Sequence, residues 1–342
     1  MNAQDADARG GGVAAEGAEA SHGRAILAYA LKMQFLLGLD GGGTKTDAVL
    51  MSEAGTIAAK AQAGPSNPLR VGFGSALAAI REAADRALAG AGAERTQLAG
   101  ICAGLAGAGP PESAEKMRSL LAAEFPGVAL QVCTDLDLAL AATGRGPALV
   151  LIAGTGSGAI GRNAKGETAR AGAYGSQIGD EGSAYEIGRR AVLTAMREQD
   201  RTGKDSELGK RLLRELGCAN WSEVKTRAQT ASDEVFPRMF SVVAALAESG
   251  DATAQGILRA AAYELTGVAV VLAQRLRLSE TEFLLAKMGG MTGRSKFLDE
   301  LLDERLRVNF PQARIGALPM TPAEAAGRMA LELREGSPSA RA

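Results

Sequence analysis

Residues 35–50 read FLLGLDGGGTKTDAVL. Residues 35–39 are apolar and short, the length of a buried strand rather than of a helix. They run into Asp40 and three glycines, Gly41, Gly42 and Gly43, before Ala48, Val49 and Leu50 resume the apolar pattern and Gly55 marks a turn. A glycine loop between two strands lets backbone N–H groups come close to a ligand, and a phosphate is the ligand such a loop suits. Thr44 adds a hydroxyl, Lys45 a positive charge, and Asp40 a carboxylate suited to holding a metal ion through water. Gly38 and Gly43 have the first spacing of a P-loop, but Thr44 intervenes before Lys45 and a strand-like alternation follows, where that motif needs a helix. A glycine-rich hairpin without ligand stays open on this stretch alone.

The device is repeated. Residues 148–153, ALVLIA, form a second apolar run that enters Gly154, Thr155, Gly156, Ser157 and Gly158, followed by a short apolar stretch and a turn at Asn163. Gly154, Gly156 and Ala159 loosely fit a dinucleotide fingerprint, which requires a helix after the loop. The turn at Asn163 comes too soon for one. A duplicated pair of phosphate-binding hairpins facing one another fits better.

With 342 residues the chain has room for two domains with full cores. A net charge of −1 gives no sign of nucleic acid or an acidic membrane surface as partner, and 4% aromatic residues leave little for base stacking. Cys102, Cys133 and Cys218 show no metal-ligand spacing and read as the reduced complement of a cytoplasmic protein. No apolar run reads as long enough to cross a bilayer. The single histidine, His22, falls in an Ala/Gly/Glu-rich stretch, so a general base here is expected to be a carboxylate.

Taken in order, residues 1–32 lack useful periodicity and are expected to be a disordered tail, with Met33 a candidate true start. Strands follow to Ala63, then a rigid loop of Gly64, Pro65, Ser66, Asn67 and Pro68. A helix is expected over 74–91, a strand over 98–105, a helix from Pro111, a strand over 128–133, and a helix over 136–143 that Thr134 and Asp135 precede. Residues 144–147 read as the hinge between domains spanning 33–146 and 147–321. Beyond the second loop, residues 172–184 form a polar glycine-rich segment, and irregular segments of this kind are usually functional. Helix is expected over 185–278, broken near Gly203, Gly217 and Gly250. Then come a strand at 283–286 ending on Gly289 and Gly290, a helix over 295–308, a strand over 314–318, and a helix over 322–333 placed against the first domain.

Together these pieces resemble the N-acetylglucosamine kinases, within the BadF/BadG/BcrA/BcrD ATPase family of the actin/hexokinase/Hsp70-like superfamily. The resemblance covers about residues 34–333 and is carried by the order and spacing of residues 39–46, Ser66-Asn67, Thr134-Asp135, residues 154–157, residues 179–185 and Gly289-Gly290. It implies an α/β fold of duplicated actin-like ATPase (ribonuclease H-like) domains with an interdomain cleft. It implies ATP and Mg2+ as cofactors and an amino sugar as substrate; a homodimer is compatible with it, and the charge, cysteine and hydropathy readings above lead us to expect a cytoplasmic protein that binds neither nucleic acid nor membrane. By the resemblance, Gly41, Gly42, Gly43, Thr44 and Lys45 form the first phosphate loop, with Asp40 near the metal. Gly154, Thr155, Gly156 and Ser157 form the second, and Gly289 and Gly290 the adenosine loop. Asn67, Asp135, Tyr174, Asp180 and Ala184 match positions that line the sugar site, and Asp135 matches the catalytic base. Tyr174 departs from the family, which commonly has Trp there; the ring is kept and its shape changes.

Phosphoryl transfer needs positioned phosphates, a metal, and a group that orients the attacking hydroxyl. A carboxylate at a strand end beside a glycine loop suits the last task. Three structural alternatives stay open: Asp135 as the cap of the helix after it, Asp180 as a cap after Gly182, and Asn67 as the stabiliser of a Pro-flanked turn. The implied reaction is phosphorylation of the 6-hydroxyl of N-acetylglucosamine, with glucosamine or N-acetylmuramic acid as alternative substrates. An ATPase that activates a partner enzyme and a sugar sensor without turnover are the rivals from other classes.

Overall fold

The computed structural model describes residues 33–335, and the expectation for residues 1–32 lies outside them. The chain divides into two units. The first runs to Leu138 and takes in the chain from Pro322 onward; the second is Ala139–Thr321. The division falls at 138/139 rather than in the hinge expected at 144–147.

In the first unit, β1 (Phe35–Gly41), β2 (Thr46–Ser52), β3 (Ile57–Ala63), β4 (Leu98–Leu105) and β5 (Ala129–Cys133) form one sheet in the order β3-β2-β1-β4-β5. β1 pairs antiparallel with β2 and parallel with β4, so it lies at the centre, and its residues 35–39 are buried on both faces. That is why it reads as a continuous apolar run instead of alternating. Edge strand β3 is largely exposed and carries Lys60 and Gln62.

Helix α1 (Pro68–Val71) is a single turn, and α2 (Phe73–Ala91) packs on β2 and β3. Helix α2 buries Ala76, Ile80, Ala83, Ala84, Ala87 and Leu88, a three-to-four spacing that makes one apolar stripe. It stops at Gly92, whose φ of 63° is left-handed. Helices α3 (Pro111–Glu124) and α4 (Asp135–Ala141) follow, the latter opening where β5 ends.

The second unit repeats the plan. β6 (Ala148–Ala153), β7 (Ser157–Arg162), β8 (Thr168–Gly172), β9 (Phe283–Met288) and β10 (Ala313–Gly316) are ordered β10-β9-β6-β7-β8. β6 is antiparallel to β7 and parallel to β9, as β1 is to β2 and β4. The two sheets therefore share one topology, read from opposite ends.

Between β8 and β9 lies a helical insertion: α5 (Ala184–Thr202), α6 (Glu207–Leu216), α7 (Trp221–Arg238), α8 (Phe240–Glu248) and α9 (Ala252–Arg275). Breaks fall at Gly203, Gly217 and Gly250 as expected, and also at Met239, just past Pro237, with a non-helical residue at Ala231. Helix α9 corrects the expectation about apolar length. By length and composition it could cross a membrane, yet half of its most apolar stretch is buried within this unit, against β6, β7 and β8. Helix α10 (Lys296–Asn309) is capped by Ser295 and packs on α9.

Helix α11 (Pro322–Glu335) covers the face of the first sheet opposite α2, lying on β1, β4, β2 and β5. Its approach depends on Gly38. A Cβ there would overlap the backbone of Ala323 and Gly327 and lie 2.8 Å from the Ala326 carbonyl carbon. Backbone cannot step aside as a side-chain tip can, so Gly38→Ala is expected to cost at least about 1–3 kcal/mol through overpacking. Denaturant titration checks this; an unchanged midpoint would show that α11 does not sit tightly on β1.

Candidate functional site

The first unit gathers its candidates at the C-terminal ends of β1 and β5. The loop after β1 is held closed by the Gly42 N–H donating to the Lys45 carbonyl at 2.9 Å. Ser66 and Asn67 both donate backbone N–H groups to the Gly42 carbonyl, at 3.0 and 3.2 Å. Buried Thr46 donates to the Gly64 carbonyl and shares a hydrogen bond with the Ser66 hydroxyl, both at 2.7 Å. The glycine loop and residues 64–67 thus form one braced unit. Gly41 is glycine for packing: a Cβ there would strike the Ser66 hydroxyl and lie 2.5 Å from Leu105. Gly42 is different, since a Cβ would meet only the Lys45 carbonyl at an ordinary 3.5 Å; its face is open to a ligand. Lys45 is exposed and paired with Asp47 at 2.8 Å.

Asp40 ends β1. Burial pushes its carboxyl from 3.8 up to about 6, and the charge of Asp135 is the next cause; Asp47 adds to the rise and Lys45 opposes it. The two strand-end carboxylates therefore feel each other. Asp135 is the first residue of α4. The cap is Thr134, whose hydroxyl accepts the Asp137 N–H at 3.2 Å, while the Asp137 carboxylate accepts the Thr134 N–H at 3.0 Å and its hydroxyl at 2.7 Å. This reciprocal cap occupies Asp137 as well.

Asn67 does what the structural alternative expects: it caps α1, its Oδ1 accepting the Leu69 N–H at 3.0 Å. Its amide NH2 is left to address a ligand.

The second unit gathers the others at the ends of β6 and β9. The Gly154 N–H donates to the Gly156 carbonyl at 3.0 Å, and the Gly154 and Thr155 carbonyls accept from Ala184 and Tyr185 at 2.9 and 3.3 Å. Ala184 thus braces the loop through its N–H. The Ser157 hydroxyl is buried and donates to the Glu181 carbonyl at 2.7 Å, so what Ser157 offers a nucleotide is not its side chain. Gly289 has a φ of 112°, and a Cβ there would overlap the Ala153 carbonyl; Gly290 meets nothing. A Cβ on Gly154 would come 3.4 Å from the Gly290 N–H nitrogen, so the loops after β6 and β9 lie side by side.

Asp180 is buried with a left-handed φ of 59°, a conformation that Asp tolerates better than most residues. It accepts the Gly175 N–H at 3.3 Å and lies on the second loop, where a Cβ on Gly156 would be 2.5 Å from its Oδ2. Burial raises its carboxyl above the usual range, against backbone N–H groups of Gly175 and Ser157 that lower it. It does not cap the following helix; Ser183 does, accepting the Glu186 N–H at 3.2 Å. Tyr174 is 68% exposed, with its ring edge 3.2 Å from a Cβ placed on Gly179.

The chain matches the BadF/BadG/BcrA/BcrD ATPase family over residues 37–326. It belongs to that family. Relatives include an N-acetylmuramic acid/N-acetylglucosamine kinase of Clostridium acetobutylicum, 27% identical over 83% of this chain and 94% of its own. Another is an N-acetyl-D-glucosamine kinase of Dictyostelium discoideum, 27% identical over 89% of this chain and all of its own. A crystal structure assigned as an N-acetylglucosamine kinase of Chromobacterium violaceum is 25% identical, covers 89% of this chain and 99% of that one, and superposes with a TM-score of 0.73. A glucokinase of Streptomyces griseus, at 16% identity and a TM-score of 0.56 over 89% of this chain and 99% of that one, shares the fold. The architecture of this family member is accordingly that of the actin-like ATPases, with one such domain in each unit.

The site suits Mg2+ by its donors. Mg2+ takes hard oxygen ligands and keeps several waters, using one or two carboxylates and substrate phosphates. Asp40, ionised at a cost and next to Asp135, is a carboxylate that a cation would stabilise. Sequence reasoning missed three participants: Thr46, which braces the first loop; Glu181, which engages Ser157; and Arg70, whose guanidinium lies over Gly43. Thr46 closes the first motif and was readable as a buried threonine after a glycine loop. Arg70 has no motif to announce it.

Proposed function

We propose that this protein is an ATP-dependent kinase that phosphorylates the 6-hydroxyl of N-acetylglucosamine. The observation that carries this reading is the pair of carboxylates beside the first glycine loop, with Asp135 close enough to raise Asp40. The relatives supply the substrate class, and the second sugar named for the Clostridium acetobutylicum enzyme makes N-acetylmuramic acid the alternative substrate. Gly42 offers phosphate an open backbone face in the first unit, and Gly290 offers an open face in the second. Bound Mg2+ would neutralise charge on the transferred phosphoryl oxygens. Asp40 would hold that metal, and Asp135 takes the proton of the attacking hydroxyl.

Asp180 binds the sugar through its buried carboxylate. Asp180→Asn keeps a residue that accepts left-handed φ and removes only the charge, so it tests the side chain without straining the backbone. A hydrogen bond to a charged group contributes about 1.5–3 kcal/mol, so the KM for sugar is expected to rise by about 10- to 100-fold while the KM for ATP stays near wild type. Steady-state kinetics with each substrate varied checks this. Equal rises in both constants would place Asp180 in bracing the second loop alone.

A further inference from the structure

Arg70 lies outside every motif of this sequence, yet its guanidinium lies against the first glycine loop. A Cβ on Gly43 would stand 3.1 Å from its Nη1 and 3.5 Å from its Cδ, so the side chain lies flat along the loop. Its backbone is fixed relative to that loop: Asn67 caps α1, the Arg70 N–H donates to the Asn67 carbonyl at 3.0 Å, and Ser66 and Asn67 donate to Gly42. The other cation of the loop, Lys45, is neutralised by Asp47 at 2.8 Å. Among the described residues no carboxylate forms an ion pair with Arg70. A planar, permanently charged fork beside the uncrowded face of Gly42 matches the geometry of phosphate oxygens, which it can hold in a bidentate way.

We propose that Arg70 binds the terminal phosphoryl group of the nucleotide at the first glycine loop, supplying the positive charge that Lys45 shares with Asp47. The turnover arm of the test rests on the kinase reading above; the binding arm does not. Calorimetric Kd values for ATP, ADP and AMP, each with Mg2+ and without sugar, are measured on wild type, Arg70→Ala and Arg70→Lys, with melting curves as the folding control. Arg70 is exposed, so both variants are expected to melt as wild type does. ATP affinity is expected to fall by about 10- to 100-fold in Arg70→Ala, the effect of losing a charge-assisted hydrogen bond, with AMP unchanged and Arg70→Lys in between. Equal ATP affinity in wild type and Arg70→Ala overturns the proposal. So does an equal loss for AMP, which would mean a distorted loop, or a loss confined to the KM of N-acetylmuramic acid, which would mean that the guanidinium reads a sugar carboxylate. If wild type turns over no amino sugar, the kinase reading fails while the nucleotide affinities still decide the role of Arg70.

Discussion

Asp135→Asn is expected to bind N-acetylglucosamine as wild type does and to lower kcat by about 10²–10⁴-fold, the usual range for removing a general base. The substitution keeps size and most hydrogen-bonding capacity, and it leaves the cap of α4 intact, because Thr134 and Asp137 make that cap between them. The melting temperature should therefore move little while turnover collapses. Calorimetric sugar binding, kcat and a melting curve on the same preparation separate the outcomes. A variant with full kcat would remove Asp135 from the chemistry, and one with lost stability and lost sugar binding would give it a structural role.

For Asp40→Asn the expected effects on stability and on activity have opposite signs. The Asp40 carboxyl is raised from 3.8 to about 6, first by burial and then by the charge of Asp135. Between those two values the folded chain holds more proton at this site than the unfolded chain, so the contribution of Asp40 to stability declines as pH rises through the window. At pH 7 its ionised form costs the ligand-free fold about 1–3 kcal/mol, from a shift of about two units discounted for partial exposure to water. Replacing it with the neutral amide should raise the melting temperature of the ligand-free protein at pH 7 and have little effect near pH 4. Activity should fall and its dependence on Mg2+ weaken, because the tension between carboxylates is what a cation resolves. A ligand-free variant that melts lower at pH 7 would contradict this account of Asp40.

The hairpins were legible because two signals coincide in them. Central strands β1 and β6 are buried on both faces and read as apolar runs, and glycines punctuate their ends. The duplication followed from seeing that pairing twice, and the sheets repeat it strand for strand. The cap alternatives stayed open in the sequence for a local reason. Thr134 and Asp135 are adjacent, as are Gly182 and Ser183 just past Asp180, and either residue of such a cluster can be read as the cap. The three-residue spacings Thr134 to Asp137 and Ser183 to Glu186 carried the answer: in each the hydroxyl accepts the N–H three residues on, and in the first pair the Asp137 carboxylate reciprocates.

Other features were not legible from neighbours in sequence. The division between units falls within α4, inside a helix, where no Gly, Pro or change of composition marks it. The extra break at Met239 did have a signal in Pro237. The length of α9 matches a membrane span, and only its packing on β6, β7 and β8 shows where its apolar surface goes. Gly156 illustrates the limit of motif reading. Its glycine is required by the Asp180 carboxylate resting on it, a contact between residues 24 apart in the chain, and not by phosphate alone.

The central claim is that this chain is an amino-sugar kinase, and the most direct measurement is sugar-dependent ADP release, as kcat/KM for N-acetylglucosamine and for glucose under identical ATP and Mg2+. A site that hydrogen-bonds the acetamido group leaves its own polar groups unpaired when glucose is bound, so N-acetylglucosamine should be preferred by at least about tenfold. Glucose turned over equally well, or no ADP release with either sugar or with N-acetylmuramic acid, would contradict it.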